Sequence, residues 1–298
     1  MQASVHIAPS SRNIRYTQPL GAICSKGGHM NRAIIIILSL FIKIGMSMSI
    51  NAQDFIQESR ANCVQVESPS AKTSGTGFFL DSEHIATCFH VAANVELQGS
   101  NIQWQIHQDL RVILTNGDTI NAVCISPPTK QDPSPLLSDF AILKLSSKPS
   151  VVIKPNSLIK NDTPPAVGAE VVFSGYPLAT PSMVTHKGMV SGVSKDANII
   201  CIQAAINKGN SGGALLNSSG EVIGIISMRE GGITKGLMEL TKYIESTEKH
   251  GSVKLMGIDP LQSTKEIINV LDTYISTGIG YAITIKHLRQ YIDMHPIN

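Results

Sequence analysis

Residues 207–215 read Asn207-Lys208-Gly209-Asn210-Ser211-Gly212-Gly213-Ala214-Leu215, and the fold is read outward from them. A serine sits among glycines on a tight turn, with an apolar run on each side. Glycine reaches backbone conformations that other residues avoid, and its missing side chain lets another chain approach closely. Such a turn can aim two backbone N–H groups at one point, where they would stabilise a developing negative charge. Gly209 and Ser211 are the donors it would use. Ordinary hairpins are built from the same residue types, so the turn alone does not separate chemistry from structure.

A serine hydroxyl is a poor nucleophile at neutral pH and needs a base beside it. The candidate base is His90, in Ile85-Ala86-Thr87-Cys88-Phe89-His90-Val91-Ala92-Ala93, which follows Gly75-Thr76-Gly77-Phe78-Phe79-Leu80. The imidazole must be held in one tautomer by an acceptor at its other nitrogen. Asp139, at the head of Phe140-Ala141-Ile142-Leu143-Lys144-Leu145, is placed to be buried against it. Each residue also has a plainer reading: the histidine as a packed side chain, the aspartate as a turn former. It is the three together that match what acyl transfer needs.

Around these residues the chain alternates short strand patterns with turn chemistry. Strands are expected near 76–80, 84–87, 103–106, 110–114, 140–145, 170–174, 188–193, 199–206 and 222–227. Turns are expected at Asn116-Gly117-Asp118, at Asn161 to Pro165 and at Asn217 to Gly220. Regular short strands punctuated this way predict an all-β architecture. From about residue 230 the period changes. Leu237, Leu240, Tyr243 and Ile244, then Ile267, Ile268, Val270, Leu271, Tyr274 and Ile275, recur at helical spacing. A helical insertion over about 230–276 is therefore expected inside the β domain. A strand over 278–285 and a helix over 286–293 follow.

The motifs in this order resemble those of the trypsin-like (chymotrypsin-fold) serine peptidases, and most closely the HtrA/Deg-type bacterial proteases. The resemblance rests on Gly75–Phe78, Thr87–Val91, Asp139–Lys144, Gly175-Tyr176-Pro177, Ala204–Gly213, Val222–Ile225 and Gly278–Ile283, and spans about 75–288. It implies two perpendicular six-stranded antiparallel β-barrels, with His90 and Asp139 from the first and Ser211 from the second. It also implies a serine endopeptidase acting on protein or peptide substrates. Ser211 would be nucleophile, His90 general base and Asp139 the orienting acid, with the N–H groups of Gly209 and Ser211 as oxyanion hole. No cofactor or metal is implied, and many such proteases form homo-oligomers. The residue six before the nucleophile, Ala205, would form the base of the specificity pocket, and Ile225, Ile226 and Ser227 the substrate-pairing strand. With no acid at 205, a Lys or Arg preference is not expected. The helical insertion departs from the family pattern. The sequence ends at Asn298, so no PDZ domain is expected after the last strand. The rival reading is a catalytically silent or gated binding or chaperone-like protein on the same fold.

Bulk properties agree. With 298 residues, a formal net charge of +2 and 5% aromatics, the chain has neither a basic footprint nor a stacking platform for nucleic acid. Residues 1–52 read as a leader, with a signal-peptide layout from about Met30: Asn31-Arg32, an uncharged apolar run to Ile42, then small residues. The run is too short to span a bilayer comfortably. Export to the periplasm or the medium is expected, with no stable membrane span after cleavage; an uncleaved anchor is the alternative. The peptidase domain would then run over 53–298. Cys63, Cys88, Cys124 and Cys201 would remain, either paired or simply buried, and none has zinc-site spacing.

Overall fold

The computed structural model describes residues 55–297 apart from 99–100, 127–137, 179, 181, 197, 230–234, 250, 252–253 and 275–277. The leader lies outside the described residues.

Fourteen strands appear among the described residues, and twelve of them close into two barrels. The first barrel has the order β1 (Cys63–Ser68), β2 (Thr73–Phe79), β3 (His84–Thr87), β8 (Ala141–Leu145), β7 (Thr119–Cys124) and β6 (Arg111–Ile113). The second has the order β10 (Val184–Val193), β11 (Ile199–Gln203), β14 (Ile279–Thr284), β13 (Val222–Arg229), β12 (Ala214–Asn217) and β9 (Glu170–Gly175). All these strand pairs are antiparallel. Closure leaves neither sheet an open edge for another chain to pair with. Register shifts at Val190/Gly192, Leu215/Leu216 and Ile226/Met228 bend the second barrel. The remaining strands, β4 (Ala93–Gln98) and β5 (Asn101–Ile106), form a separate hairpin.

The strands follow from period-2 patterning. In β7 Ile120 and Ala122 are buried while Thr119, Asn121 and Val123 face out. In β8 the run Ala141-Ile142-Leu143 is buried on both faces, because β8 lies between its barrel's interior and the rest of the molecule. One apolar core joins the first barrel (Phe78, Ile85, Leu110, Ile142) to Ala214, Leu216, Val222 and Ile225 of the second. A second core fills the other barrel around Phe173, Ile200, Ile202 and Leu215.

A four-residue helix α1 (Phe89–Ala92) follows β3. Two helices, α2 (Lys235–Glu248) and α3 (Pro260–Tyr274), make the insertion between β13 and β14. Their buried faces are narrower than the helical period suggests. Ile244 and Ile268 are buried, whereas Leu240, Tyr243, Ile267 and Val270 are exposed. The closing helix α4 (Lys286–Met294) leaves the second barrel and packs on the first. Leu288 is buried, Tyr291 meets Phe140 edge-on at 5.7 Å, and the Tyr291 hydroxyl donates to Ile125 O.

The glycine after the serine is fixed by sterics. Gly212 has φ +95°, and a Cβ there would lie 1.9 Å from Thr76 O and 2.4 Å from Thr87 Oγ1. Both the conformation and the space exclude a side chain. Gly212→Ala is expected to cost more than about 2 kcal/mol, a Tm drop of at least about 4 °C by calorimetry. An unchanged Tm would contradict this account of the turn.

Candidate active site

The barrels meet at Thr76. Its N–H donates to Ser211 O at 2.8 Å and its hydroxyl to Gly209 O at 2.6 Å. The same hydroxyl accepts from Tyr176 N–H at 3.0 Å, and Thr76 O accepts from Thr87 Oγ1 at 2.6 Å. One threonine of the first barrel thus pins the serine turn and the Gly175-Tyr176-Pro177 segment of the second. This explains the small residues of Gly75-Thr76-Gly77: a Cβ on Gly75 would meet Val91 at 2.6 Å and Ser211 O at 3.0 Å.

His90 and Asp139 meet directly at this seam, and Ser227 links Asp139 to Ser211 through hydrogen bonds. His90 stands on α1 with its side chain 44% exposed. Asp139, 7% exposed, precedes β8 with φ +30°, a conformation Asp tolerates better than most residues. Its carboxylate lies 2.9 and 3.0 Å from His90 Nδ1, and accepts from His90 N–H at 3.2 Å and from Ser227 Oγ at 2.5 Å. These contacts fix Nδ1 as the proton donor toward Asp139 and leave the Nε2 lone pair outward. Burial pulls the imidazole pKa down, but the hydrogen bond and charge of Asp139 outweigh it and raise it above the ordinary 6.5.

Ser211 Oγ donates to Ser227 O at 2.9 Å, and among the described residues no hydrogen bond joins it to His90. Contacts between nucleophile and base are often long before substrate arrives. Rotation about one side-chain bond redirects the hydroxyl.

The backbone donors around the serine divide cleanly. Asn210 N–H donates to Asn207 O, Gly212 N–H to Ile226 O and Gly213 N–H to Asn210 O, at 3.0, 2.7 and 3.1 Å. The N–H groups of Gly209 and Ser211 meet no acceptor among the described residues. Gly209 reaches this arrangement at φ +97°, where a Cβ would lie 2.3 Å from Tyr176 O. Lys208 is exposed.

Of the residues expected to hold substrate, Ile225 and Ile226 are buried. They are 1% and 0% exposed. Ile225 pairs with Ala214, and Ile226 accepts from Gly212 and donates to Gly213. Their backbone and side chains are spent on the barrel, because the serine turn itself occupies that part of β13. Ser227 keeps its place beside Ser211. Ala205 is exposed and lines a hollow of about 460 Å³ with Ser191, Gln203, Ala204, Gly278 and Ile279, none of them charged. A larger hollow of about 600 Å³ opens beside His90, walled by Thr73, Asn94, Gln105, His107 and Gln108.

Three contributors were not legible beforehand. Thr76 carried no signal as a staple, and Ser227 none as a donor to Asp139. The third is Cys88, 0% exposed, whose thiol donates to Ile226 O at 3.1 Å. Burial, and then the Asp139 charge, push that thiol well above its usual range. Among the described residues, Cys63, Cys88, Cys124 and Cys201 form no disulfide. Burial also pushes up the Cys63 thiol, so the plainer reading of these residues as small buried side chains holds for Cys63 and Cys88.

Two closed six-stranded antiparallel barrels meeting at a serine turn define the trypsin-like fold class. Residues 75–225 match the family model of the trypsin-like peptidase domain, and the chain belongs to that family. It is 32% identical over 170 residues to the serine protease Do-like HtrB of Bacillus subtilis strain 168, covering 52% of this chain and 32% of that one. It is 29% identical over 168 residues to the serine protease Do-like HtrA of Lactobacillus helveticus, covering 53% and 34%. The chain thus spans about a third of the length of these curated relatives. The crystal structure of a serine endoprotease from Yersinia pestis superposes on 82% of this chain and 65% of its own, with TM-score 0.52 and 20% identity.

Proposed function

We propose that the chain is a serine endopeptidase that cleaves peptide bonds in protein substrates. Ser211 Oγ attacks the scissile carbonyl carbon, and His90 Nε2 takes the hydroxyl proton. Asp139 stays ionised and stabilises the imidazolium. The oxygen of the tetrahedral intermediate is held by the N–H groups of Gly209 and Ser211. His90 then returns the proton to the leaving amine, and water releases the acyl group by the same steps in reverse order. The observation that carries this reading is the pair of N–H groups at Gly209 and Ser211 with no acceptor, beside a histidine already oriented by a buried carboxylate. The test is casein hydrolysis by the purified chain, with and without phenylmethylsulfonyl fluoride. Cleavage abolished by the inhibitor supports the reading, and a folded chain without cleavage favours the silent or gated alternative.

The pH profile follows from His90. The base works only when neutral, so activity is lost as pH falls through its pKa. Because Asp139 raises that pKa, the acid limb of kcat/KM is expected above the ordinary 6.5. A limb well below that value would break the link between His90 and Asp139.

Specificity is inferred from the hollow that Ala205 lines with Ser191, Gln203, Ala204, Gly278 and Ile279, none of them charged. The expected preference is for small or medium aliphatic side chains before the scissile bond. A peptide library cleaved mainly after Lys or Arg would refute it.

Export to the periplasm or the medium, with residues 1–52 as leader and 53–298 as the working domain, is supported by the charge and hydropathy layout after Met30. No helix among the described residues is long and apolar enough to cross a membrane. Assembly into a homo-oligomer, suggested by the resemblance, is part of the same proposal.

A further inference from the structure

We propose that Cys88, His90 and Asp139 together bind a thiophilic divalent cation, zinc foremost, and that its binding switches the site off. The binding stands on geometry alone, and the inhibition rests on the peptidase reading above. The Cys88 sulfur, a His90 ring nitrogen and an Asp139 carboxylate oxygen all lie within 4.8 Å of one another. Sulfur, imidazole and carboxylate are the three ligand types zinc uses. With zinc bonds of ordinary length, neighbouring ligand atoms of a tetrahedral site stand about 3.3–3.7 Å apart. His90 Nδ1 and Asp139 Oδ2 are at 2.9 Å, so they need to open by only about 0.4 Å to admit the ion. Ser227 Oγ, on the same carboxylate, holds the acid in place while they do.

Charge balance favours the ion over its absence. A dication, one thiolate and one carboxylate sum to zero, with a neutral imidazole as third ligand, so no net charge is buried. The Cys88 thiol gives its proton to solvent and surrenders its bond to Ile226 O. The His90 proton leaves Nδ1, and neutral imidazole carries it on Nε2 instead. Nε2 then has no lone pair for the Ser211 proton, and the base is disabled. The thiolate selects zinc or cadmium over magnesium and calcium. The half-exposed imidazole gives the path of entry, since the other two ligands are buried. Sequence spacing cannot show this site, because Asp139 comes 49 residues after His90.

The test uses the full chain carrying Ser211→Ala, so that binding is read without turnover. Cadmium is titrated in while the ultraviolet thiolate-to-cadmium charge-transfer band is followed. A band saturating at one equivalent is expected, displaced by zinc and lost in the added Cys88→Ser or Cys88→Ala variant. Adding His90→Ala instead, at an exposed position that folding tolerates, is expected to weaken binding more than tenfold. Cys24, Cys63, Cys124 and Cys201 remain in every variant as internal controls. In the chain with Ser211 intact, zinc is expected to inhibit reversibly with EDTA, and Cys88→Ala to raise the half-inhibiting concentration more than tenfold. No band, or a band that survives Cys88 or His90 replacement, overturns the site. A band without any hydrolysis in the zinc-free chain keeps the site and overturns the peptidase reading instead.

Discussion

Ser211→Ala is expected to lower kcat for peptide hydrolysis by about 10⁶, the scale on which removal of a triad nucleophile acts in an unrelated serine protease. In the proposed mechanism the whole covalent route passes through Ser211 Oγ, beside a turn whose Gly209 and Ser211 N–H groups meet no acceptor among the described residues. Stability should hardly change. The side chain is half-buried, and its one hydrogen bond, to Ser227 O, contributes about 1 kcal/mol at most. Rate and Tm measured on the same preparation separate the two effects. A rate loss below about tenfold would remove Ser211 from the chemistry.

Asp139→Asn is expected to lower kcat by about 10⁴ with little change in KM. The carboxylate accepts from His90 Nδ1, from His90 N–H and from Ser227 Oγ. An amide in its place keeps one acceptor and presents a donor at the other position. Placed toward Nδ1, that donor favours the tautomer whose Nε2 carries the proton, which cannot act as base. Placed toward Ser227, it gives up the 2.5 Å bond that holds the acid. Losing one buried charge-assisted bond also costs about 1.5–3 kcal/mol of stability, so the comparison belongs well below Tm. A variant within tenfold of the parent would mean that the acid does not set the tautomer.

Much of this was readable in the chain because the site is built from local patterns. The serine turn is specified by glycines whose neighbours at 209 and 212 lie within 2.3 and 1.9 Å of a notional Cβ, so composition and geometry carry the same message. The second half of β2 was visible as a continuous buried run, whereas β1, β4, β7 and β12 were missed. β12 has four residues, and β4 pairs only with β5, outside both barrels. Non-local contacts were the larger loss. Nothing in the sequence announces that Ser227 reaches Asp139 across 88 residues, or that Thr76 binds Gly209 across 133. The burial of Ile225 and Ile226 has the same origin. The serine turn folds back onto them from the facing strand. In α2 and α3 the period correctly marked helices. It overstated burial, because only Ile244 and Ile268 of their described side chains find the core.

The central claim is that Ser211 is the activated nucleophile. A fluorophosphonate label, followed by digestion and mass spectrometry, tests it most directly. The account predicts a single adduct on Ser211, formed by the parent chain, absent from Ser211→Ala and strongly slowed in His90→Ala. An adduct on another residue, or a folded parent chain that stays unlabelled while hydrolysing casein, would contradict it.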